Sequence, residues 1–394
     1  MRFLSGGESH GSALIGIIEG LPAGLELSAE AINRQLARRQ HGYGRGGRMA
    51  IENDQVEFLS GLRFGRTLGS PLTLAIRNRD WENWRQAMAP EGERPPELEA
   101  VTAPRPGHAD LAGALKYNHC DLRAVLERAS ARETAMRTAI GTVGRMILER
   151  FGVSFYSRVR AIGPAAVEQG DDDYDPETLK EKAVLVEASP VRCACPAAEA
   201  AMLAAVERAR REGDTLGGIF EVIVVGLPPG LGSHVHWERR LDGRLAAAVM
   251  SIQGIKGVEI GAGFSGAAAR GSALHDPIIV AGDSGIKRPS NQAGGLEGGI
   301  TNGQPLIMRA AMKPIPTLAR PLPSVDLATG EAVSGAVERS DVCAVPPAAV
   351  VGEAVVAWEL AIAFLEKFGG DTMDEVEAAY HYYMERVKRM LRQG

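Results

Sequence analysis

The chain is short of lysine, cysteine and aromatic residues, and each shortage narrows what it can be. Only eight of its 44 basic residues are lysines, and 49 acidic residues outnumber the basic ones, for a net charge of −5. That balance excludes a globally basic coat for nucleic acid. Four cysteines, at 120, 193, 195 and 343, are too few for a disulfide framework in 394 residues, and Cys193 and Cys195 lack the C-x-x-C spacing of zinc and redox motifs. Aromatic residues make up only 5% of the chain. No uninterrupted apolar run approaches the roughly 18 residues of a membrane span; the best candidate, residues 346–365, contains Glu353 and Glu359. The opening residues hold no apolar stretch of signal-peptide length. The expectation is a reduced, cytoplasmic protein with neither a membrane nor a nucleic-acid partner.

What the chain does have is glycine, arginine and enough apolar residues for a large core. Glycine supplies 47 residues, so turns and close backbone approaches are frequent, and the 45% apolar share is near the globular average. An apolar strand is expected over 12–20, then a helix over 28–39 with Ser28 as N-cap. Short strands recur at 56–59, 72–76 and 220–225, and the proline-rich stretch 90–106 reads as loop. Ser130 and Glu133 spell a capping box before Ala135, Ala139, Val143 and Ile147, which predicts a helix to about residue 150. Further helices are expected over 197–212, 347–368 and 373–392, with a glycine-dense segment at 254–304. The acidic run 169–176 reads as a solvated turn. Short strands among long helices, without regular βαβ alternation, point to the α+β class.

The clearest chemical signal is a cluster of cations. Arg34, Arg38, Arg39, Arg45 and Arg48 fall within fifteen residues that contain no acid. The helix dipole accounts for Arg38 and Arg39 in a last turn. It does not account for Arg45 and Arg48, which flank small glycines that let guanidinium groups converge on one anion. Gly42-x-Gly44-x-x-Gly47 spells a dinucleotide fingerprint but follows a helix rather than a strand, which rejects the fingerprint. A nicotinamide oxidoreductase built on the glycine pattern is a rival reading that saturable NADPH consumption with a small carbonyl substrate would support and its absence would remove. An RNA-binding use of the same loop would need stacking aromatics, and only Tyr43 is present.

Two histidines lie on glycine-rich turns, His10 in Ser9-His10-Gly11 and His108 in Arg105-Pro106-Gly107-His108-Ala109-Asp110. Imidazole titrates near neutrality, so either could move a proton near a bound anion. His234, His236 and Glu238 would share one face of a strand, a poor geometry for surrounding a single metal. Arg128, Ser130 and Arg132 cluster at a helix start that could hold phosphate, and Lys313-Pro314-Ile315-Pro316-Thr317 is a stiff loop suited to a flat ligand.

Taken in order, these segments resemble the chorismate synthase family. The resemblance rests on Gly7-Glu8-Ser9-His10-Gly11, the loop from Arg39 to Arg45, the turn from Arg105 to Asp110, and Arg128-x-Ser130-Ala131-Arg132-Glu133-Thr134. It continues through Ser251-Ile252-Gln253-Gly254-Ile255-Lys256-Gly257, Gly294-Gly295-Leu296-Glu297-Gly298-Gly299-Ile300, the Lys313 to Thr317 loop and Arg339-Ser340-Asp341. Asn118-His119-Cys120 departs from the pattern. The resemblance implies one domain over 1–394, a β-α-β sandwich with a helical core layer between two antiparallel sheets, and a homotetramer. It implies 1,4-anti elimination of phosphate from 5-enolpyruvylshikimate 3-phosphate, giving chorismate, with reduced FMN required and no net redox change. In it His10, His108 and Asp341 are catalytic: His10 protonates the departing phosphate, His108 serves the reduced flavin and Asp341 assists removal of the C6 proton. Arg39, Arg45, Arg48, Arg105, Arg132 and Arg339 clamp the substrate. Arg128, Ala129, Ser130, Gln253, Gly254, Gly298, the residues Lys313 to Thr317, and Arg339 hold FMN. Some members reduce their flavin with NADP(H); with no appended reductase-like segment in view, an external flavin reductant is expected here.

Overall fold

The computed structural model describes residues 1–44, 53–168, 173–280, 285–336 and 341–392. Two antiparallel sheets dominate. The first contains β1 (Arg2–Gly6), β2 (Ala13–Glu19), β3 (Val56–Ser60) and β4 (Leu72–Arg77), in the order β1-β2-β4-β3. Its register sets Phe3 opposite Ile18 and Ile15 opposite Ala75. The second contains β5 (Ser154–Ile162), β6 (Ala165–Ala166), β7 (Gly218–Val225), β8 (Ile255–Ile260) and β9 (Leu306–Met312), in the order β8-β9-β7-β5-β6. Leu14 and Ile18 of β2 are buried while Ile17 faces out, the alternation of a half-buried strand. Mixed helices and antiparallel sheets make the chain an α+β protein.

Four helices position the residues of the site and its surroundings: α1 (Ala29–Gln40), α2 (Arg123–Ala129), α3 (Thr134–Glu149) and α4 (Val345–Phe368). Ser28 caps α1 by accepting a hydrogen bond from the backbone N–H of Ala31 at 3.1 Å. α3 packs against β2 and β4 of the first sheet, α4 packs against β5 and β7 of the second, and α3 packs on α4. Glycines permit both approaches. A Cβ on Gly16 would lie 2.6 Å from the sulfur of Met136, and one on Gly141 would lie 2.2 Å from the carbonyl oxygen of Ala354. α4 is long and apolar enough to cross a membrane by composition, yet it is buried as the central helix of the core.

Several expectations change in detail. Ser130 does cap, but its Oγ accepts from the N–H of Arg132, and Glu133 reaches away to Ser5 and Gln253 instead of closing a box. A short 3₁₀ turn, Ala131–Glu133, therefore precedes α3. Residues 234–238 are not a strand: Trp237–Arg239 forms a 3₁₀ turn, with His236 and Glu238 exposed. Among the described residues, no group of three or more His, Cys, Asp or Glu is placed to hold a metal ion. A helix at Pro176–Ala188, capped by the Asp175 carboxylate, follows the acidic run; residues 169–172 of that run lie outside the described residues.

Candidate active site

A cavity of about 440 Å³ opens between the junction of α2 and α3, the turn at 105–109, the 313–317 loop and the first turns of α4. That volume falls within the roughly 300–1,000 Å³ typical of small-molecule sites. His10, His108, Asp341, Arg39, Arg105, Arg132, Ala129, Ser130, Gln253, Gly254 and all five residues from Lys313 to Thr317 line it. Residues separated by more than three hundred positions thus meet on one wall. Arg128 and Gly298 do not line it: Arg128 donates to the carbonyls of Ser5 and Gly7, and Gly298 lies nearest His234. Arg45, Arg48 and Arg339 lie outside the described residues.

Two of the lining arginines share one buried acid. Arg132 donates from Nη1 to Asp54 Oδ1 at 2.6 Å, and Arg39 Nη1 lies 3.5 Å from Asp54 Oδ2. Arg39 also donates to Thr134 Oγ1 at 3.0 Å and the Ala131 carbonyl at 3.1 Å; Arg132 donates to Asn78 Oδ1 at 2.9 Å. Asp54 is not itself a cavity-lining residue. Its carboxylate braces the two guanidinium groups from behind, which keeps desolvated cations in place at the cavity wall. Among the described residues, the lining contains four cations, Arg39, Arg105, Arg132 and Lys313, against one carboxylate, that of Asp341. A globally acidic chain therefore presents a locally positive cavity.

Each histidine has a carboxylate on Nδ1. His108 Nδ1 is 2.5 Å from Asp110 Oδ1, and Arg105 donates from Nε to Asp110 Oδ2 at 2.8 Å and from Nη1 to Thr317 Oγ1 at 3.2 Å. Burial pushes the Asp110 carboxyl up, but His108 and Arg105 outweigh it and hold the group well below the usual carboxylate range. At His10, Glu127 accepts from the backbone N–H at 2.7 Å and lies 2.8 Å from Nδ1. Burial opposes ionisation of Glu127 too, and the bond from His10 again prevails. The ring of His10 stacks on Trp84 with centroids 3.9 Å apart. Lys313 reaches across to the Gly107 carbonyl, and burial with the neighbouring charge of Lys256 lowers its pKa.

Asp54, Asn78, Trp84, Asp110 and Glu127 carry this arrangement and escape sequence reasoning as site residues. Asp110 alone carried a signal, since it closes the turn that begins at Arg105.

An α+β scaffold with a cation-walled cavity and two carboxylate-tied imidazoles defines the class: an enzyme-like site for a polyanionic small molecule that gains or loses a proton. The chain belongs to the chorismate synthase family, whose model matches residues 1–365. It is 57% identical to the chorismate synthases of Desulforudis audaxviator and Moorella thermoacetica, over 98% of this chain and 98% and 100% of theirs. The corresponding enzyme of Aquifex aeolicus is 54% identical over 98% of both chains. A crystal structure of chorismate synthase superposes with a TM-score of 0.80 at 45% identity, covering 98% of each chain.

Proposed function

We propose that this chain is a chorismate synthase acting in the shikimate pathway, eliminating phosphate from 5-enolpyruvylshikimate 3-phosphate with reduced FMN bound beside it. The observation that carries the proposal is the convergence of Arg39, Arg105, Arg132, His10 and His108 on one cavity. The substrate has two carboxylates and a phosphate, and braced guanidinium forks bind such groups bidentately. Arg39, Arg105 and Arg132 hold these anions, with Arg45, Arg48 and Arg339 as further members of the clamp. His10 gives its proton to the departing phosphate oxygen, a general-acid step worth typically about 10²–10⁴-fold. Asp341 assists on the side where the C6 proton leaves, and His108 hydrogen-bonds to the flavin.

The cavity suits a flavin. Gln253 Oε1 is buried on its wall with no hydrogen-bond partner among the described residues, an acceptor that a ring N–H would satisfy. Ala129, Ser130, Gln253, Gly254 and Lys313 to Thr317 would hold it, the two prolines fixing the loop that faces its plane. The chemistry a bound reduced flavin supplies is transient electron density for expelling phosphate, which no side chain offers. Arg128 and Gly298 do not line this cavity within one subunit; in the homotetramer we propose, such residues serve a neighbouring copy. The proposal also includes one domain over 1–394, folded as a helical layer between the two sheets, a cytoplasmic location and an external reductant for the flavin.

The test is an anaerobic phosphate-release assay with dithionite-reduced FMN. Stoichiometric phosphate and chorismate are expected, and release of neither rejects the function. Turnover with NADPH and oxidised FMN alone, in the absence of any reductase, would reject the external reductant.

A further inference from the structure

Behind His10 stands a group that no motif singles out. The Glu127 side chain, on α2, is 0% exposed, and both its oxygens face donors of one residue, the backbone N–H and Nδ1 of His10. An ionised carboxylate only accepts, so the hydrogen between Glu127 and the ring sits on Nδ1. The nitrogen left for the cavity is Nε2. Trp84 covers one face of the ring and is itself fixed, its indole N–H donating to Asp80 Oδ2 at 3.0 Å and its ring lying 5.2 Å from the Arg123 guanidinium. The charged groups around the imidazole are Glu127, Arg123 at 3.6 Å from Glu127, Asp80 behind Trp84, and the cavity-lining Arg39, Arg105, Arg132, Lys313 and Asp341.

We propose that Glu127 is the positioning residue that presents His10 as an Nε2 proton donor, with Trp84 holding the plane of the ring; this rests on the reading of His10 as the acid that serves the departing phosphate. The step is balanced. The Nε2–H bond breaks and leaves its electron pair on nitrogen, and an O–H bond forms on the phosphate. The neutral ring that remains is the Nδ1–H tautomer, the form whose hydrogen Glu127 already accepts. The same carboxylate therefore holds the ring before and after transfer without rotation. Glutamine offers one acceptor and one NH₂ group, so it cannot accept from both His10 donors at once. In Glu127→Gln the amide NH₂ turns to Nδ1, and the ring hydrogen moves to Nε2.

The test uses the full chain labelled with ¹⁵N at histidine, without substrate or flavin, at about pH 8, where an ordinary imidazole is neutral. The His10 signals are those lost in His10→Gln. Expected are a protonated Nδ1 and a bare Nε2 in the parent protein, exchanged in Glu127→Gln, whose kcat falls at least about tenfold while KM stays within about twofold. A parent spectrum with the hydrogen on Nε2 overturns the proposal, and so does an unchanged tautomer in Glu127→Gln, whatever its rate. Should that variant fail to fold, the parent spectrum decides alone. The tautomer is read without turnover, so a failure of the phosphate-release assay and a failure here are separate results.

Discussion

Arg38 and Arg39 are neighbours at the end of α1, and they belong to different parts of the molecule. Arg38 turns into the core, donating to both oxygens of Glu353 at 2.8 and 2.9 Å. Arg145 joins at 2.8 Å and Ser157 at 2.6 Å, around a carboxylate that is buried, while the outer edge of Arg38 reaches the more exposed Glu187. Arg39 turns to the cavity, where Asp54 and Thr134 hold its guanidinium in place on the wall. Both clusters are buried and arginine-rich. In the first, one carboxylate is satisfied by surrounding cations; in the second, one carboxylate braces two cations that line an open cavity. The first is an arrangement for shape and the second for binding.

That contrast breaks most visibly at Glu353. Glu353→Ala leaves Arg38 and Arg145 without their shared anion, and a loss of about 3–5 kcal/mol in unfolding free energy is expected, read from denaturant midpoints. Turnover per folded molecule should be nearly unchanged; a stable but inactive variant would merge the two clusters. The reverse pattern is expected for Arg39→Ala, since Asp54 retains Arg132. Here kcat/KM should fall by roughly 10²–10³-fold, about 3–4 kcal/mol of lost transition-state binding, with a small change in thermal midpoint. His10→Ala and His108→Ala should each cut turnover at least about 10²-fold with the fold retained, and parent-like rates in either would discard its assigned role.

Acid gives the smallest and most selective effect. Burial raises the Glu353 carboxyl, but Arg38, Arg145 and Arg192 outweigh it and bring the value down to about 2 from an ordinary 4.5. A depressed carboxylate contributes stability that is complete above its unfolded pKa and is lost as pH falls through the folded one. Unfolding free energy should therefore decline between about pH 4.5 and 2 in the parent protein, and this decline should flatten in Glu353→Gln. An equal slope in both would assign acid sensitivity elsewhere.

The same pair shows where sequence reasoning stopped. The helix dipole accounts for arginines at 38 and 39, and it is silent about their partners, because Glu353 lies 315 positions away from Arg38. Local patterns carried the strands at 56–59, 72–76 and 220–225 and the long helices, each within a few residues of its observed bounds. Motif order carried His10, His108 and the Lys313 to Thr317 loop into one cavity. The bracing acids were invisible for a physical reason: Asp54 and Glu127 sit alone among neighbours that share no spacing with the residues they hold. The helix at Pro176–Ala188 went unread because only Leu179 and Val186 are buried, too sparse a stripe to mark a period. The strand expected at 234–238 failed because alternation there reflects a turn exposed to solvent.

Pro347, Ala348 and Val351 form part of the cavity wall, and they belong to α4, the helix around which the core is assembled. Ser9 and His10, synthesised well before it, must wait for that late segment before the cavity they line is closed. A guest molecule therefore grips the early and late portions of the polypeptide together, and its affinity opposes every partial opening that separates them.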